Sequence, residues 1–148
     1  MEKEKYIKAA NILFKCRRNK KRLDKFPIDC IPNNCEEAYK IQDELKILYL
    51  TLKKNYTIGK KVGCTNKWAQ KQINVEEPFY GNLFSKYSSM SGSKLKSNNF
   101  SEPYMEPEFS FKIKEDINIA KAPFTFDQIV DLTETVMGSV EIVDFRFN

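Results

Sequence analysis

Apolar residues near the start of the chain recur at three- and four-residue intervals, and further on they fall into shorter, turn-bracketed runs, which predicts helices followed by an α+β region. Tyr6, Ala10, Leu13 and Phe14 define one face of a helix over residues 3–24. Phe26-Pro27 to Ile31-Pro32 is a connector. Asn34, with Glu37 three residues later, then offers a start resembling a capping box. Ala38, Ile41, Leu45, Leu48 and Leu52 follow as the clearest stripe in the protein. The stripe is read as core, because it lasts too few heptads for a coiled-coil seam.

The character changes at residue 57, which divides the chain into a helical region, residues 1–57, and a second region, residues 58–148. Ile58 to Thr65 is short, bracketed by Gly59 and Gly63, and strand-like. A short helix over Asn66 to Ile73 is expected, capped by Thr65 or Asn66. Phe79 to Phe84 is apolar around Gly81, and Met90 to Asn99 reads as a turn region. After a strand over Met105 to Phe111 and a loop through Pro123, Ile129, Leu132 and Val136 predict a helix from about Asp127 to Met137, ended by Gly138. Val140 to Phe147 alternates as a final strand.

The strand Met105-Glu106-Pro107-Glu108-Phe109-Ser110-Phe111 carries the first chemical signal. Residues two apart on a strand share a face about 7 Å apart, so Glu106 and Glu108 project together while Met105, Phe109 and Phe111 cannot all avoid the core. Taken by themselves the two carboxylates read as the solvated face of an amphipathic strand. The alternative is a site for a hard divalent cation, which would relieve the repulsion of two like charges. Pro107 cannot donate a ladder hydrogen bond, which points to a bulge or an edge strand.

Composition narrows the chemistry. The formal net charge is +5, but 21 of the 25 basic residues are Lys, and the densest run, Lys15 to Lys25, reads as a solvated helix end rather than a nucleic-acid surface. There is no His, which removes Ser-His-Asp and Cys-His catalysis, and Cys16, Cys30, Cys35 and Cys64 form no C-x-x-C pair, which argues against a zinc ribbon. No signal-peptide or membrane-length apolar run occurs, so a soluble cytoplasmic protein with no membrane partner is expected. Acid and base roles then fall to Glu, Asp, Lys or metal-bound water.

Five segments carry a family resemblance: Ala38-Tyr39-Lys40-Ile41-Gln42, Gly59-Lys60-Lys61-Val62-Gly63-Cys64-Thr65, Glu77-Pro78 with Gly81-Asn82-Leu83-Phe84, Glu106-Pro107-Glu108, and Glu141-Ile142-Val143-Asp144-Phe145-Arg146. In this order they resemble the 2-oxopent-4-enoate hydratase and 2-oxo-3-hexenedioate decarboxylase group of the fumarylacetoacetate hydrolase superfamily. The resemblance implies that Glu106, Glu108 and Glu141 hold Mg2+ or Mn2+, and that the cation binds a 2-oxo acid and stabilises its enolate. It makes Lys61 the catalytic lysine and Thr65 a substrate contact. Lys61 shares strand parity with Gly63 and Thr65, whereas Lys60 shares it with Val62 and Cys64.

The implied fold is a helical N-terminal region followed by the first part of a mixed β-roll. The implied activity is hydration of a 2-hydroxy-2,4-dienoate in aromatic meta-cleavage catabolism, with the decarboxylase as the close alternative. Carbon–carbon hydrolysis of the fumarylacetoacetase type fits less well without a His. The resemblance further implies a small-molecule dienoic acid as partner and a homo-oligomer for the full-length family. Two departures stand out: Phe145 occupies a position where such proteins carry a small residue, and the chain ends at Asn148, before the roll would close. A truncated enzyme is therefore expected, with a non-catalytic remnant or assembly subunit as the reading of another class.

Overall fold

In a computed structural model that describes residues 2–148, helices give way to strands where the sequence changes character. Helices α1 (Lys3–Asn19) and α2 (Cys35–Leu50) precede β1 (Thr57–Gly63), the short helix α3 (Lys67–Gln72) and β2 (Phe79–Phe84). Strand β3 (Pro103–Ile113), helix α4 (Phe126–Leu132) and strand β4 (Thr133–Asp144) complete the order. Two compact units result. One takes the chain up to Ser101 together with Arg146–Asn148, and the other is Glu102–Phe145, so the expected boundary at residue 57 falls inside the first unit.

Helix α1 stops earlier than its periodicity suggests. Lys20 adopts a left-handed backbone, φ 53°, and the carbonyls of Cys16 and Arg17 accept the N–H groups that follow. The released residues pair with the C-terminus: Leu23 bridges Phe147 in parallel, and the Arg22 guanidinium donates to the Phe147 carbonyl at 2.9 Å through Nε. Arg17 lies 4.2 Å from the centroid of the Tyr87 ring, and Arg18 lies 5.7 Å from that of Phe14. Much of the basic run is thus engaged in contacts within its own unit, in keeping with a helix end.

Asn34 caps α2 as its sequence indicates, its side chain accepting the Glu37 N–H at 2.9 Å. The reciprocal bond lands one residue earlier than in a capping box: Glu37 accepts the Asn33 backbone N–H at 2.8 Å, which holds its carboxyl below the ordinary carboxylate range. The α1–α2 core joins Tyr6, Ala9, Ala10, Cys30 and Ile41, with Leu13, Leu45 and Leu48 partly buried against them. Cys30 is fully buried, and that burial pushes its thiol up, which leaves it unreactive. Leu52 lies beyond the helix, and Ala38 is exposed.

The periodicity omits Tyr49, the aromatic centre of this unit. It meets Phe14, Phe84 and Tyr87 at ring separations of 5.2, 4.8 and 5.5 Å. Buried Asn55 donates to the Tyr49 carbonyl at 2.9 Å and accepts the Lys86 N–H at 3.0 Å, tying the end of α2 to the segment after β2.

In the second unit the expected helix from Asp127 to Met137 is only half correct. A complete capping box at Thr125 and Gln128 starts α4, but the helix ends at Leu132 and the chain passes directly into β4. The Thr133 hydroxyl donates to the Ile129 carbonyl at 2.8 Å, and the Lys114 N–H donates to the Leu132 carbonyl at 2.9 Å, so the last helical carbonyls are satisfied. Thr133, Thr135 and Val136 are β-branched and pair readily with β3. The helical spacing of Leu132 and Val136 is incidental, and Gly138 lies inside a strand rather than at a helix end. The final strand stops at Asp144, short of the expected Phe147.

Each sheet is a two-stranded antiparallel ribbon, β1 with β2 and β3 with β4. Pro107 lies in continuous register opposite Val140. The register shift falls at Lys112/Ile113, where β4 carries the extra residue Glu134, so the proline marks an edge strand and not a bulge.

Two outcomes follow. Asn34→Ala leaves the Glu37 N–H without its cap and is expected to lower unfolding free energy by about 1 kcal/mol, read by urea titration. Burial holds the Tyr49 phenol above its ordinary value near 10. The unfolded chain therefore ionises first, and this contribution to stability is fully present below about pH 10 and is lost as pH rises through the folded value. The urea midpoint should fall less steeply above about pH 10 in Tyr49→Phe than in the parent.

Candidate metal centre

The β3–β4 register assembles the acidic cluster. Antiparallel pairing sets Glu106 directly opposite Glu141 and Glu108 opposite Ser139, so all three carboxylates share one face. One oxygen from each of Glu106, Glu108 and Glu141 lies within 4.8 Å of the others. Glu106 and Glu108 are exposed and Glu141 is half-buried. Beside them Ser110 and Ser139 share a hydrogen bond at 2.7 Å, and Ser139 also donates to the Glu108 carbonyl at 3.4 Å.

Like charges directly opposite on neighbouring strands disfavour pairing. Here the opposed pair Glu106/Glu141 is joined by a third carboxylate, in a set made only of oxygen donors. Such donors suit a hard divalent cation, whose ligand distances of about 2.0–2.6 Å allow two donors to lie at most about 4–5 Å apart. The residues present fit such an ion.

Lys61 and Thr65 belong to the first unit, the three glutamates to the second. Along β1, Gly59, Lys61 and Gly63 are half-buried while Ile58, Lys60 and Val62 are exposed. Lys60 is engaged on the outer face, donating to Asn82 Oδ1 at 2.6 Å and lying 4.8 Å from the centroid of the Tyr80 ring. Lys61 lies across Gly81, where a β-carbon would stand 3.4 Å from Lys61 Cγ and 3.8 Å from Gln42 Oε1.

Gln42 donates to the Tyr80 carbonyl at 3.1 Å and accepts from Asn82, while the Tyr39 hydroxyl accepts the Tyr80 N–H at 3.2 Å. These bonds lock β2 to α2, and their importance is not visible in any local period. The parity argument does not extend to Thr65. The strand ends at Gly63, Cys64 takes a left-handed backbone with φ 54°, and Thr65 sits exposed in the turn. Asn66, not Thr65, caps α3, accepting the Ala69 N–H at 2.8 Å. Buried Gln70, which the sequence does not single out, donates to the Cys64 carbonyl at 2.9 Å and holds this turn.

The fold is that of half of a known metal-bound decarboxylase. The 4-oxalocrotonate decarboxylase from Pseudomonas putida G7, solved with magnesium and adipate, superposes with a TM-score of 0.90 at 22% identity, over 100% of this chain and 55% of that one. In sequence the chain is 35% identical over 94 residues to 2-hydroxyhexa-2,4-dienoate hydratase from Comamonas testosteroni, covering 62% of this chain and 34% of the relative. It is 28% identical over 89 residues to 2-keto-4-pentenoate hydratase from Burkholderia vietnamiensis, covering 60% of this chain and 33% of the relative. The chain is thus similar in sequence to these hydratases and in fold to that decarboxylase, and its matched part spans about a third of the length of these curated hydratases. No protein-family model matches the chain. Among the described residues no helix is long and apolar enough to cross a membrane.

Glu106→Gln tests the repulsion in the cluster directly. In the presence of chelator it removes one of three mutually repelling charges and is expected to raise the melting temperature by about 1–3 °C, measured by circular dichroism. An unchanged or lower value would show that the carboxylates do not strain the ribbon.

Proposed function

We propose that the chain is a carbon–oxygen lyase that adds water to a 2-hydroxy-2,4-dienoate and depends on Mg2+ or Mn2+ held by Glu106, Glu108 and Glu141. The observation that carries this reading is the convergence of three carboxylate oxygens within 4.8 Å on one sheet face. Its support from relatives is that those sharing the sequence are named dienoate and 2-keto-4-pentenoate hydratases, and that the enzyme sharing the fold was solved with magnesium and a dicarboxylate. When bound, the ion supplies Lewis-acid polarisation of the carboxylate and 2-oxo oxygens of the substrate.

The remaining work falls to the chain itself. With no His among its residues, the chain is assigned Lys61 for proton transfer, on its half-buried place in β1 across from Gly81. Thr65 is assigned a substrate contact. The two ribbons are read as parts of a β-roll. Loss of CO2 from a 2-oxo diacid is the second reading, favoured by the fold match to 4-oxalocrotonate decarboxylase.

Metal binding and turnover are separable tests. Electron paramagnetic resonance should detect Mn2+ bound to this chain, with occupancy lost in Glu106→Ala and in Glu108→Ala. Parent binding no different from either variant would overturn the site. Hydration of 2-hydroxypenta-2,4-dienoate, followed as loss of diene absorbance, should fall at least about 100-fold on chelation and in both variants. Release of CO2 from 2-oxo-3-hexenedioate without diene hydration would instead establish the decarboxylase reading.

A further inference from the structure

The turn after β1 is held in a conformation that its residues do not favour. Cys64 takes the left-handed backbone, φ 54°, which residues other than glycine rarely adopt. The residue before it is constrained as well. Gly63 stands opposite Phe79 at the end of the ribbon, and a β-carbon on Gly63 would lie 2.9 Å from Phe79 Cε2, so the ring sits against the backbone that enters the turn. A disfavoured geometry persists only where its surroundings over-determine it, and such places cluster at ligand contacts.

Here the restraint converges on one side chain. Gln70 is 4% exposed, although every other residue of the short helix α3 is exposed or half-buried. Its amide N–H donates to the Cys64 carbonyl at 2.9 Å, its amide oxygen accepts from Lys67 at 3.0 Å, and its backbone N–H donates to the Asn66 carbonyl at 3.1 Å. Lys67 reaches on to the Glu76 carbonyl at 3.2 Å, and the Gln70 carbonyl accepts the Val75 N–H at 2.9 Å, which ties the segment after α3 into the same set. Gln70 therefore holds the carbonyls of both residues that flank Thr65.

That arrangement fixes a direction. A peptide unit is planar and trans, so its C=O and N–H point opposite ways. With the Cys64 carbonyl turned toward buried Gln70, the Thr65 N–H is turned away from it, and Thr65 itself is exposed. We propose that Gln70 is a positioning residue: by holding the Cys64 and Asn66 carbonyls it keeps the turn in its strained form before any ligand arrives, and so presents the Thr65 N–H and hydroxyl to an oxygen of a 2-oxo acid. The proposal rests on the reading of Thr65 as a substrate contact. It adds that the contact is built in advance, so that binding does not have to offset the ordering of the turn.

The cysteines supply an internal control for the test. In the whole chain carrying Cys35→Ser, which removes the exposed thiol, alkylation by iodoacetamide is followed at each cysteine by mass spectrometry. Cys64 lies in the turn and reports its local opening, whereas fully buried Cys30 reports opening of the α1–α2 core. Gln70→Glu keeps an acceptor for Lys67 but cannot donate to the Cys64 carbonyl, and Gln70→Met removes both bonds. In each variant Cys64 is expected to react at least about fivefold faster while the Cys30 rate stays within about twofold of the parent. The second readout is the Thr65 amide resonance of isotope-labelled chain titrated with 2-oxopentanoate in the presence of Mg2+. It should shift on titration, with a dissociation constant at least about fivefold higher in both Gln70 variants.

An unchanged Cys64 rate in both variants, or a Cys30 rate that rises in step with it, would overturn the proposal. So would a Thr65 response in the parent whose affinity both variants retain. A parent chain whose Thr65 resonance does not respond would instead overturn the substrate reading of Thr65, and with it the purpose assigned to Gln70, whatever the thiol rates.

Discussion

The pairing of β3 with β4 is the constraint on which the candidate centre depends, because no single segment of the chain contains it. Glu106 and Glu108 are neighbours by strand period alone, but Glu141 joins them only when Glu106 stands directly opposite it. A slip of one residue would turn Glu141 onto the apolar face and place Val140 or Ile142 among the carboxylates. The register thus has two jobs in one ribbon, gathering three like charges on one side and sorting Met105, Phe109, Phe111, Val136 and Val140 to the other. Electrostatics within the ribbon oppose this arrangement and ladder hydrogen bonds favour it. A cation on one face and a covering element on the other would both act in the direction of the ladder.

What the sequence makes legible follows from how local each cause is. Asn34 and Asn66 cap helices through bonds to residues three positions on, and both are recognisable by type and place. The carboxylate pair on β3 is legible for the same reason, since period two is a local property. Residues 133–137 are not, because a helical spacing of Leu132 and Val136 competes with pairing to a strand more than twenty positions away, and the pairing prevails. Tyr49, Asn55 and Gln70 escape for a related reason: each matters through the backbone carbonyl or ring it meets, and nothing in its own neighbourhood marks it. Glu141 is legible as a carboxylate on the final strand, but its place beside Glu106 depends on a long-range register that periodicity does not carry.

The first unit shows the opposite balance. Its strands are anchored to a helix core by specific polar bonds, from Gln42 and Tyr39 to Tyr80 and from Asn55 to Lys86, and the aromatic cluster around Tyr49 closes the gap between α1, α2 and β2. Lys61 sits on β1, paired with the strand β2 that α2 holds, and the missing side chain at Gly81 leaves open the space beside its Cγ. The role proposed for Lys61 calls for such a setting, because an anchored strand and a half-buried face restrict where the amine can go. Lys60, one residue away, is engaged instead with Asn82 and Tyr80.

Among the described residues the second unit shows no such anchor on its apolar side, and this bears on the chemistry proposed for the other side. A cation site gains affinity when its donors are held in place before the ion arrives, and loses it when ordering them must be offset by binding. Glu106, Glu108 and Glu141 project from a ribbon whose reverse face is exposed, and among the described residues their backbone is restrained by the β3–β4 ladder, the Ser110–Ser139 hydrogen bond and the Lys112–Glu134 ion pair. Covering the Phe109 face would stiffen the same backbone from behind without touching a carboxylate. Restraint of β3 and β4 from behind would raise the affinity of the carboxylates for an ion, and an ion that relieved the repulsion across Glu106 and Glu141 would steady the ribbon to the same extent.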